Sequence, residues 1–105
     1  MLCGYINAEN AVFYLRGRDA IFNALNLLNI KQGDTILVPA YLCPAVIEPI
    51  KRLNINIRFY RINKDLSLDL KDLKAKIKSD TRAILLIHYF GFPQTALNDV
   101  VKICR

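Results

Sequence analysis

Residues 82–94 read RAILLIHYFGFPQ, and this stretch indicates more about the fold than any other part of the chain. It holds five consecutive apolar residues, 83–87, which are typical of a strand buried on both faces of a parallel sheet. A histidine and two aromatic residues follow at 88–90, before Gly91 and Pro93 break the pattern. Ligands of open α/β sheets bind just beyond the carboxyl ends of strands. The cluster therefore lies where a site is expected, although a plain strand-to-helix turn with aromatic packing explains the same residues.

Helix and strand patterns alternate along the rest of the chain. Apolar spacing and turn residues predict, in order, a short strand at 13–15, a helix over 18–28, a strand over 35–38, a helix from Pro44 closed by Asn54, a strand over 55–59, a helix over 70–78 capped by Asp69, the strand at 83–87 and a helix over 95–103. This alternation is typical of a largely parallel sheet with helices on its faces, and it predicts a further strand after the last helix.

Length and composition suit one small globular domain, or part of a larger one. The chain has 105 residues, of which 53% are apolar, enough to form a core and too many for a disordered chain. We expect an irregular segment at residues 1–12 and a domain over 13–105. No apolar run approaches the length of a membrane span, and the first residues lack the features of a secretory signal. We therefore expect a cytoplasmic protein without a membrane partner.

The net charge of +6 raises the question of a nucleic-acid partner. Much of the excess lies in lysines between residues 71 and 78. They are interleaved with Leu70, Leu73 and Ile77 at helical spacing, so they fall on the solvent face of a helix. The segment 58–61 mixes arginine with aromatic residues, but the alternation of a strand explains it equally well. No recognised nucleic-acid module accompanies the charge, so we expect no such partner.

The cysteine and histidine content argues against a zinc site. Cys3, Cys43 and Cys104 are far apart, no C-x-x-C pair occurs, and His88 is the only histidine in the sequence. We therefore expect free, buried thiols and no metal. The glycines are too widely spaced for nucleotide-binding motifs, no G-x-S-x-G elbow is present, and no carboxylate pair indicates acid–base catalysis.

One remaining feature could bind an anion. Gly17 and Arg18 open the first predicted helix, where free backbone N–H groups and the positive end of the helix dipole attract negative charge. Gly17 would let the backbone approach a phosphate closely, and Arg18 would add a positive charge. Most Gly-Arg turns bind nothing, so an ordinary helix start explains the same two residues.

Three segments carry a resemblance to a known family: residues 15–43 (LRGRDAIFNALNLLNIKQGDTILVPAYLC), 54–69 (NINIRFYRINKDLSLD) and 79–94 (SDTRAILLIHYFGFPQ). In order and spacing they resemble the start of the DegT/DnrJ/StrS family of sugar aminotransferases. These are pyridoxal-phosphate (PLP) enzymes of the aspartate-aminotransferase-like fold. The resemblance implies a partial three-layer α/β/α domain with a mostly parallel sheet over residues 13–105, equivalent to the start of the family's large domain.

The resemblance also implies a cofactor site. In the family, the turn before the first helix holds the PLP phosphate, and Gly17 and Arg18 match that turn. The residue four positions beyond the strand-ending proline commonly stacks an aromatic ring on PLP. That position is Cys43 here, so either a thiol packs on the ring or the stacking is supplied differently. Relatives often have a small or hydroxyl residue where Arg18 and Asp19 stand, so the match predicts backbone contacts with the phosphate rather than a hydroxyl contact. His88 matches a family landmark to which we assign no chemistry.

Two requirements of PLP chemistry are missing from this sequence: the Schiff-base lysine and the acid that keeps the pyridine nitrogen protonated. Relatives supply both beyond the position of Arg105. The resemblance therefore implies an N-terminal fragment of a PLP-dependent aminotransferase acting on keto-sugar nucleotides, inactive alone, which a second polypeptide could complete. Family members are homodimers. The alternative is a stand-alone, non-catalytic α/β domain that binds a phosphorylated ligand.

Overall fold

A computed structural model describes residues 11–105 of the protein. Its elements are α1 (Gly17–Leu27), β1 (Thr35–Pro39), a 3-10 turn (Pro44–Val46), α2 (Ile47–Arg52), β2 (Asn56–Tyr60), α3 (Leu70–Lys76), β3 (Thr81–Ile84), a second 3-10 turn (Tyr89–Gly91) and α4 (Leu97–Ile103). The predicted alternation of helices and strands from residue 18 onward is confirmed. Most of the segment 1–12, for which irregular structure is expected, lies outside the described residues.

The three strands form one parallel sheet with β1 in the centre, in the order β2-β1-β3. Thr35 of β1 pairs with Asn56 of β2 and with Thr81 of β3. An irregularity after Thr35 shifts the β1–β3 register, so that Ile36 pairs with Ala83. The parallel sheet predicted from the alternation of elements is therefore confirmed.

Helices cover both faces of this sheet. Successive side chains of β1 point to opposite faces, and all of them are buried, so each face needs a helix layer. One face forms a core with α1 and α2, made of Leu25, Ile30, Ile36, Val38, Ile50 and Ile55. The other face forms a core with α3 and α4, made of Leu37, Tyr60, Leu68, Leu73 and Val100. The architecture is the three-layer α/β/α arrangement that the family resemblance implies.

The two crossover connections explain where a site can form. The chain moves from β1 outward to β2 through α2, and then returns past β1 to β3 through α3. Crossovers between parallel strands are right-handed. Two crossovers that run in opposite directions across the sheet therefore place their connecting helices on opposite faces of it. The loops leaving the carboxyl ends of β1 and β3 therefore diverge to opposite faces. This divergence defines the position at which open α/β sheets bind ligands.

Local signals account for several element boundaries. The Asp69 side chain caps α3 by accepting the backbone N–H of Asp72 at 3.0 Å. Pro44 occupies the first position of its 3-10 turn, where a missing N–H costs nothing. Asn54, which follows α2, has a left-handed φ of 54°. Helix α3 ends at Lys76, two residues earlier than predicted, since the next residue is already extended.

The run 83–87 is not a strand buried on both faces, and this prediction is wrong. β3 ends at Ile84, and the backbone N–H of Leu85 adds one further ladder bond to the Leu37 carbonyl at 2.8 Å. All five residues of the run are half-buried. The reason is that β3 pairs with β1 alone among the described strands, whereas the fully buried strand is β1, which is paired along both edges.

Two smaller expectations are also wrong. Residues 13–15 form no strand, and Phe13 and Leu15 are 67% and 97% exposed. Cys43 and Cys104 are free as predicted, but both are exposed rather than buried. Cys3 lies outside the described residues. Thiol burial could not be inferred from the spacing of the cysteines, because it depends on which loop and helix end each one occupies.

Candidate functional site

The first turn of α1 leaves backbone donors free. The helix begins at Gly17, one residue earlier than predicted, and the extended Arg16 is its N-cap residue. The Arg16 carbonyl accepts the N–H groups of Asp19 and Ala20 at 3.1 and 3.3 Å. Within residues 11–105, no acceptor meets the N–H groups of Gly17 and Arg18. Two donors therefore remain at the positive end of the helix.

A cavity of about 290 Å³ lies beside this helix start. Its walls are Arg16, Gly17, Arg18 and Ile21 from the region of α1, and Ala45 and Val46 from the 3-10 turn that follows β1. A Cβ atom added to Gly17 would meet nothing within 4 Å, so the backbone there is open to a ligand. Gly17 and Arg18, which the sequence predicts to act together, thus line one cavity near the carboxyl end of the central strand.

Two ion pairs hold the arginine side chains around this cavity. Arg16 binds Asp19 through Nε–Oδ2 and Nη2–Oδ1 contacts of 2.9 and 3.1 Å. These hydrogen bonds lower the pKa of Asp19 and raise the pKa of Arg16. Arg18 instead reaches α2, where its Nη1 donates to Oε2 of Glu48 at 2.7 Å. Glu48 lies in the first turn of α2, where the helix dipole favours a carboxylate.

Cys43 lies at the same end of the sheet as the cavity but is not one of its lining residues. It is the extended N-cap residue of the first 3-10 turn and is exposed. Ala45 and Val46, two and three positions later, form one wall of the cavity. The structure therefore places the three predicted site residues around neighbouring loops, with two of them inside the cavity and Cys43 beside it.

The loop after β3 brings a second cluster to this edge. The Tyr89 hydroxyl donates to the Tyr41 carbonyl, and the two rings lie 5.5 Å apart. Burial raises the pKa of Tyr89. His88 is exposed, and its Nδ1 accepts the backbone N–H of Gln94 at 3.0 Å. The contacts between Tyr41 and Tyr89 join the loops that leave β1 and β3, at the position where the two connections diverge.

Gln94 holds this second loop in place, and sequence reasoning missed it. The residue is 7% exposed. Its Nε2 donates to the carbonyls of Leu66 and Ile87 at 2.9 and 3.0 Å, and its Oε1 accepts the N–H of Leu68 at 3.1 Å. The side chain thus ties the loop before α3 to the loop after β3. All three partners are main-chain groups, two of them more than twenty-five positions away in the chain, so no local pattern indicates the role.

Other parts of the structure are weaker candidates for a functional site. A groove of about 680 Å³ lies between α2 and the ends of β1 and β2, with largely apolar walls and with Lys51 and Arg52 among its lining residues. None of the helices between residues 11 and 105 combines the length and apolar character needed to cross a membrane. Over the same described range, no three His, Cys, Asp or Glu side chains are grouped closely enough to hold a metal ion.

The donor set at the start of α1 fits the phosphate of PLP. Two free N–H groups, an open glycine and a guanidinium suit an anion, since charge-assisted bonds and the helix dipole act in the same direction. Arginine is the only ionisable residue type among the six that line the cavity. The cavity can therefore bind and orient an anion, while its walls contain no group suited to moving a proton.

Fold and site together define a class: an α/β protein with a parallel sheet between two helix layers and a candidate anion cavity at the carboxyl edge of that sheet. Residues 1–105 match the model of the DegT/DnrJ/EryC1/StrS aminotransferase family, and the chain belongs to this family. The family membership that three short sequence segments predict is therefore confirmed.

Individual proteins are also similar to this chain in sequence or in fold. GDP-4-keto-6-deoxy-D-mannose 3-dehydratase of Yersinia pseudotuberculosis is 38% identical over 64 residues, 60% of this chain and 16% of the relative. GDP-perosamine synthase of Vibrio cholerae is 27% identical over 88 residues, 83% of this chain and 24% of the relative. The PLP form of a protein described as a sugar aminotransferase, from Streptococcus pneumoniae, matches the fold with a TM-score of 0.75 at 21% identity, over 82% of this chain and 22% of that one. The chain spans a quarter or less of the length of these relatives.

Proposed function

We propose that this chain is the N-terminal part of a PLP-dependent aminotransferase that acts on keto-sugar nucleotides. Family membership and relatives named for GDP-linked sugars support this proposal. The structural observation that carries it is the cavity at the start of α1, where Gly17 and Arg18 offer donors to an anion. The complete enzyme would move an amino group from an amino acid such as glutamate to the keto-sugar.

Each site residue has a separate role in this proposal. The N–H groups of Gly17 and Arg18 bind the cofactor phosphate, and the Arg18 guanidinium adds a positive charge. Cys43 would lie against the cofactor ring, where a thiol would pack as a small apolar group and cover less of the ring than an aromatic side chain. When bound, PLP supplies the electron sink for amino transfer. The contribution of these residues is to bind the cofactor and fix its orientation.

We further propose that these 105 residues do not catalyse the transfer alone. Within the described part of the chain, neither a lysine nor a carboxylate lines the cavity. On α3, Lys71 and Lys74 are exposed to solvent. We place the lysine that binds the cofactor covalently, and the acid for the pyridine nitrogen, on another segment of the complete enzyme or on a second polypeptide. We expect the complete enzyme to be a homodimer.

Thermal unfolding with PLP tests the phosphate site. At ten times the Kd, binding should stabilise the chain by about 1.4 kcal/mol and raise Tm by several degrees. Gly17→Asp should abolish the shift, because the new carboxylate would face the phosphate. Gly17→Asn has nearly the same shape without the charge, so it is the matched control and should keep most of the shift. No shift at millimolar PLP, or equal shifts in both variants, would contradict the site.

Borohydride reduction tests the proposed inactivity. After incubation with PLP and reduction, peptide mapping should find no lysine labelled at one cofactor per chain, because no lysine of the described residues lines the cavity. A single lysine modified stoichiometrically would refute this part of the proposal. Stabilisation by inorganic phosphate equal to that by PLP would instead favour the alternative, a non-catalytic domain that binds a phosphorylated ligand.

A further inference from the structure

We propose that Glu48 is a positioning residue of the phosphate site: in the ligand-free protein it holds the Arg18 guanidinium as an internal counter-ion, and an incoming phosphate displaces it. This inference rests on the proposed function, because it assumes that Gly17 and Arg18 bind the cofactor phosphate. An ion pair at this place needs both an arginine in the first turn of α1 and a carboxylate in the first turn of α2, and this chain has both.

The pair joins the starts of two helices at the border of two cavities. Arg18 is the second residue of α1, and Glu48 is the second residue of α2, thirty positions later in the chain. The Nη1–Oε2 distance is 2.7 Å. Arg18 lines the cavity at the helix start, whereas Glu48 lines the neighbouring groove along α2. The guanidinium therefore lies between a candidate phosphate site and a competing carboxylate.

The exposure of this pair makes it easy to displace. Arg18 and Glu48 side chains are 39% and 47% exposed, and exposed ion pairs of this kind contribute little to stability. The pair between Arg58 and Asp80 is different, because Arg58 is 24% exposed and binds both carboxylate oxygens as well as a backbone carbonyl. A phosphate dianion is a stronger partner for the Arg18 guanidinium than one half-exposed carboxylate.

Displacement has a consequence for affinity. Two negative groups compete for one guanidinium, so Glu48 lowers the affinity of the site for an anion. Arg16 is held by two contacts to Asp19, through Nε and Nη2, whereas a single contact holds Arg18 to Glu48. Removing the carboxylate of Glu48 leaves the Arg18 guanidinium available to the phosphate. The substitution Glu48→Gln should therefore tighten phosphate binding, and it should do so through Arg18.

Calorimetric titration with pyridoxine 5′-phosphate tests this inference, because the probe has the phosphate and the ring but no aldehyde to react with lysines. Glu48→Gln should tighten binding by about three- to fivefold. In an Arg18→Ala background, the same substitution should change binding by less than about twofold. Asp99→Asn makes the same change in net charge on α4, across the sheet from the site, and should leave binding unchanged. Glu48→Ala serves as a second variant should Glu48→Gln fail to fold.

The possible outcomes separate this inference from the proposed function. Unchanged or weaker binding by Glu48→Gln overturns the inference while leaving the phosphate site intact. An equal gain in affinity in the Arg18→Ala background also overturns it, because the gain would then come from removing electrostatic repulsion between the Glu48 carboxylate and the phosphate. If neither the wild type nor Glu48→Gln binds the probe, the phosphate site fails, and the inference fails with it. The inference is supported if Glu48→Gln binds pyridoxine 5′-phosphate when the wild type does not, and if the same variant fails to bind pyridoxine, which has no phosphate.

Discussion

β1 and β3 lie side by side in the sheet, and each contains or leads into a run of apolar residues, yet the two strands are buried to different degrees. Every residue of β1 is buried, and Leu37 and Val38 are wholly inaccessible to solvent. β3 and the apolar residues after it are half-buried or exposed. β1 has a strand on each edge and a helix layer on each face, whereas β3 has one described neighbouring strand. An apolar run indicates what a strand is able to bury, while its neighbours decide how much it does bury.

The largest difference between the strands should appear when a core side chain is shortened. Leu37→Ala in β1 should lower the free energy of unfolding by about 2–5 kcal/mol, because it leaves a cavity in a fully packed site. Ile84→Ala, at the β3 position paired with Leu37, should cost roughly 1–2 kcal/mol, because the side chain is already partly exposed. Urea unfolding of both variants measures the two losses. Similar losses would contradict the proposed difference in burial.

A smaller effect should follow from loosening the carboxyl end of β3. Tyr60 of β2 is 1% exposed, and its hydroxyl donates to the Leu85 carbonyl at 2.8 Å. Burial also raises the pKa of Tyr60. Tyr60→Phe should lower the free energy of unfolding by about 1 kcal/mol, since the carbonyl loses its partner. Tyr41→Phe removes a hydroxyl from an exposed side chain and is the control. Equal unfolding curves for the two variants would argue against the role of Tyr60.

The smallest effect concerns the amino end of β3 and depends on pH. Hydrogen bonds from Arg58 and then from Thr35 lower the pKa of Asp80 to about 2. The folded-state pKa lies below the usual value, so the stabilisation is complete above about pH 4 and is lost as the pH falls toward 2. Asp80→Asn should be less stable than the wild type at pH 7 and should lose less stability between pH 4 and 2. Parallel pH profiles from urea unfolding would contradict this prediction.

Much of the fold could be predicted because the relevant signals are local. Asp69 caps α3 through a bond to a residue three positions away, and Pro44 begins its turn by virtue of its own fixed backbone angle. Asn54 takes up the left-handed conformation in which asparagine is common. Each of these features depends on a residue and its immediate neighbours, so residue type and spacing were sufficient to find them.

The remainder of the site could not be predicted because it depends on distant residues. The pair between Arg18 and Glu48 joins positions thirty residues apart, and only the packing of α1 on α2 brings them together. Burial of the run 83–87 depends on which strands pair with β3, information that the run itself does not contain. Gly17 could be singled out because a glycine at a helix start is a local signal. The cavity beside it could not be predicted, because it forms only when the turn after β1 is folded.

The amide of Gln94 has a consequence for mutational screening. A buried side chain that donates twice and accepts once can be replaced by neither glutamate, which would repel two carbonyls, nor leucine, which would leave three main-chain groups without partners. A saturation screen of the proposed complete enzyme, scored by activity, would therefore rank this position with the proposed cofactor contacts. A parallel screen scored by abundance would tell the two apart, since Gln94 should fail both and Gly17 should fail only the first.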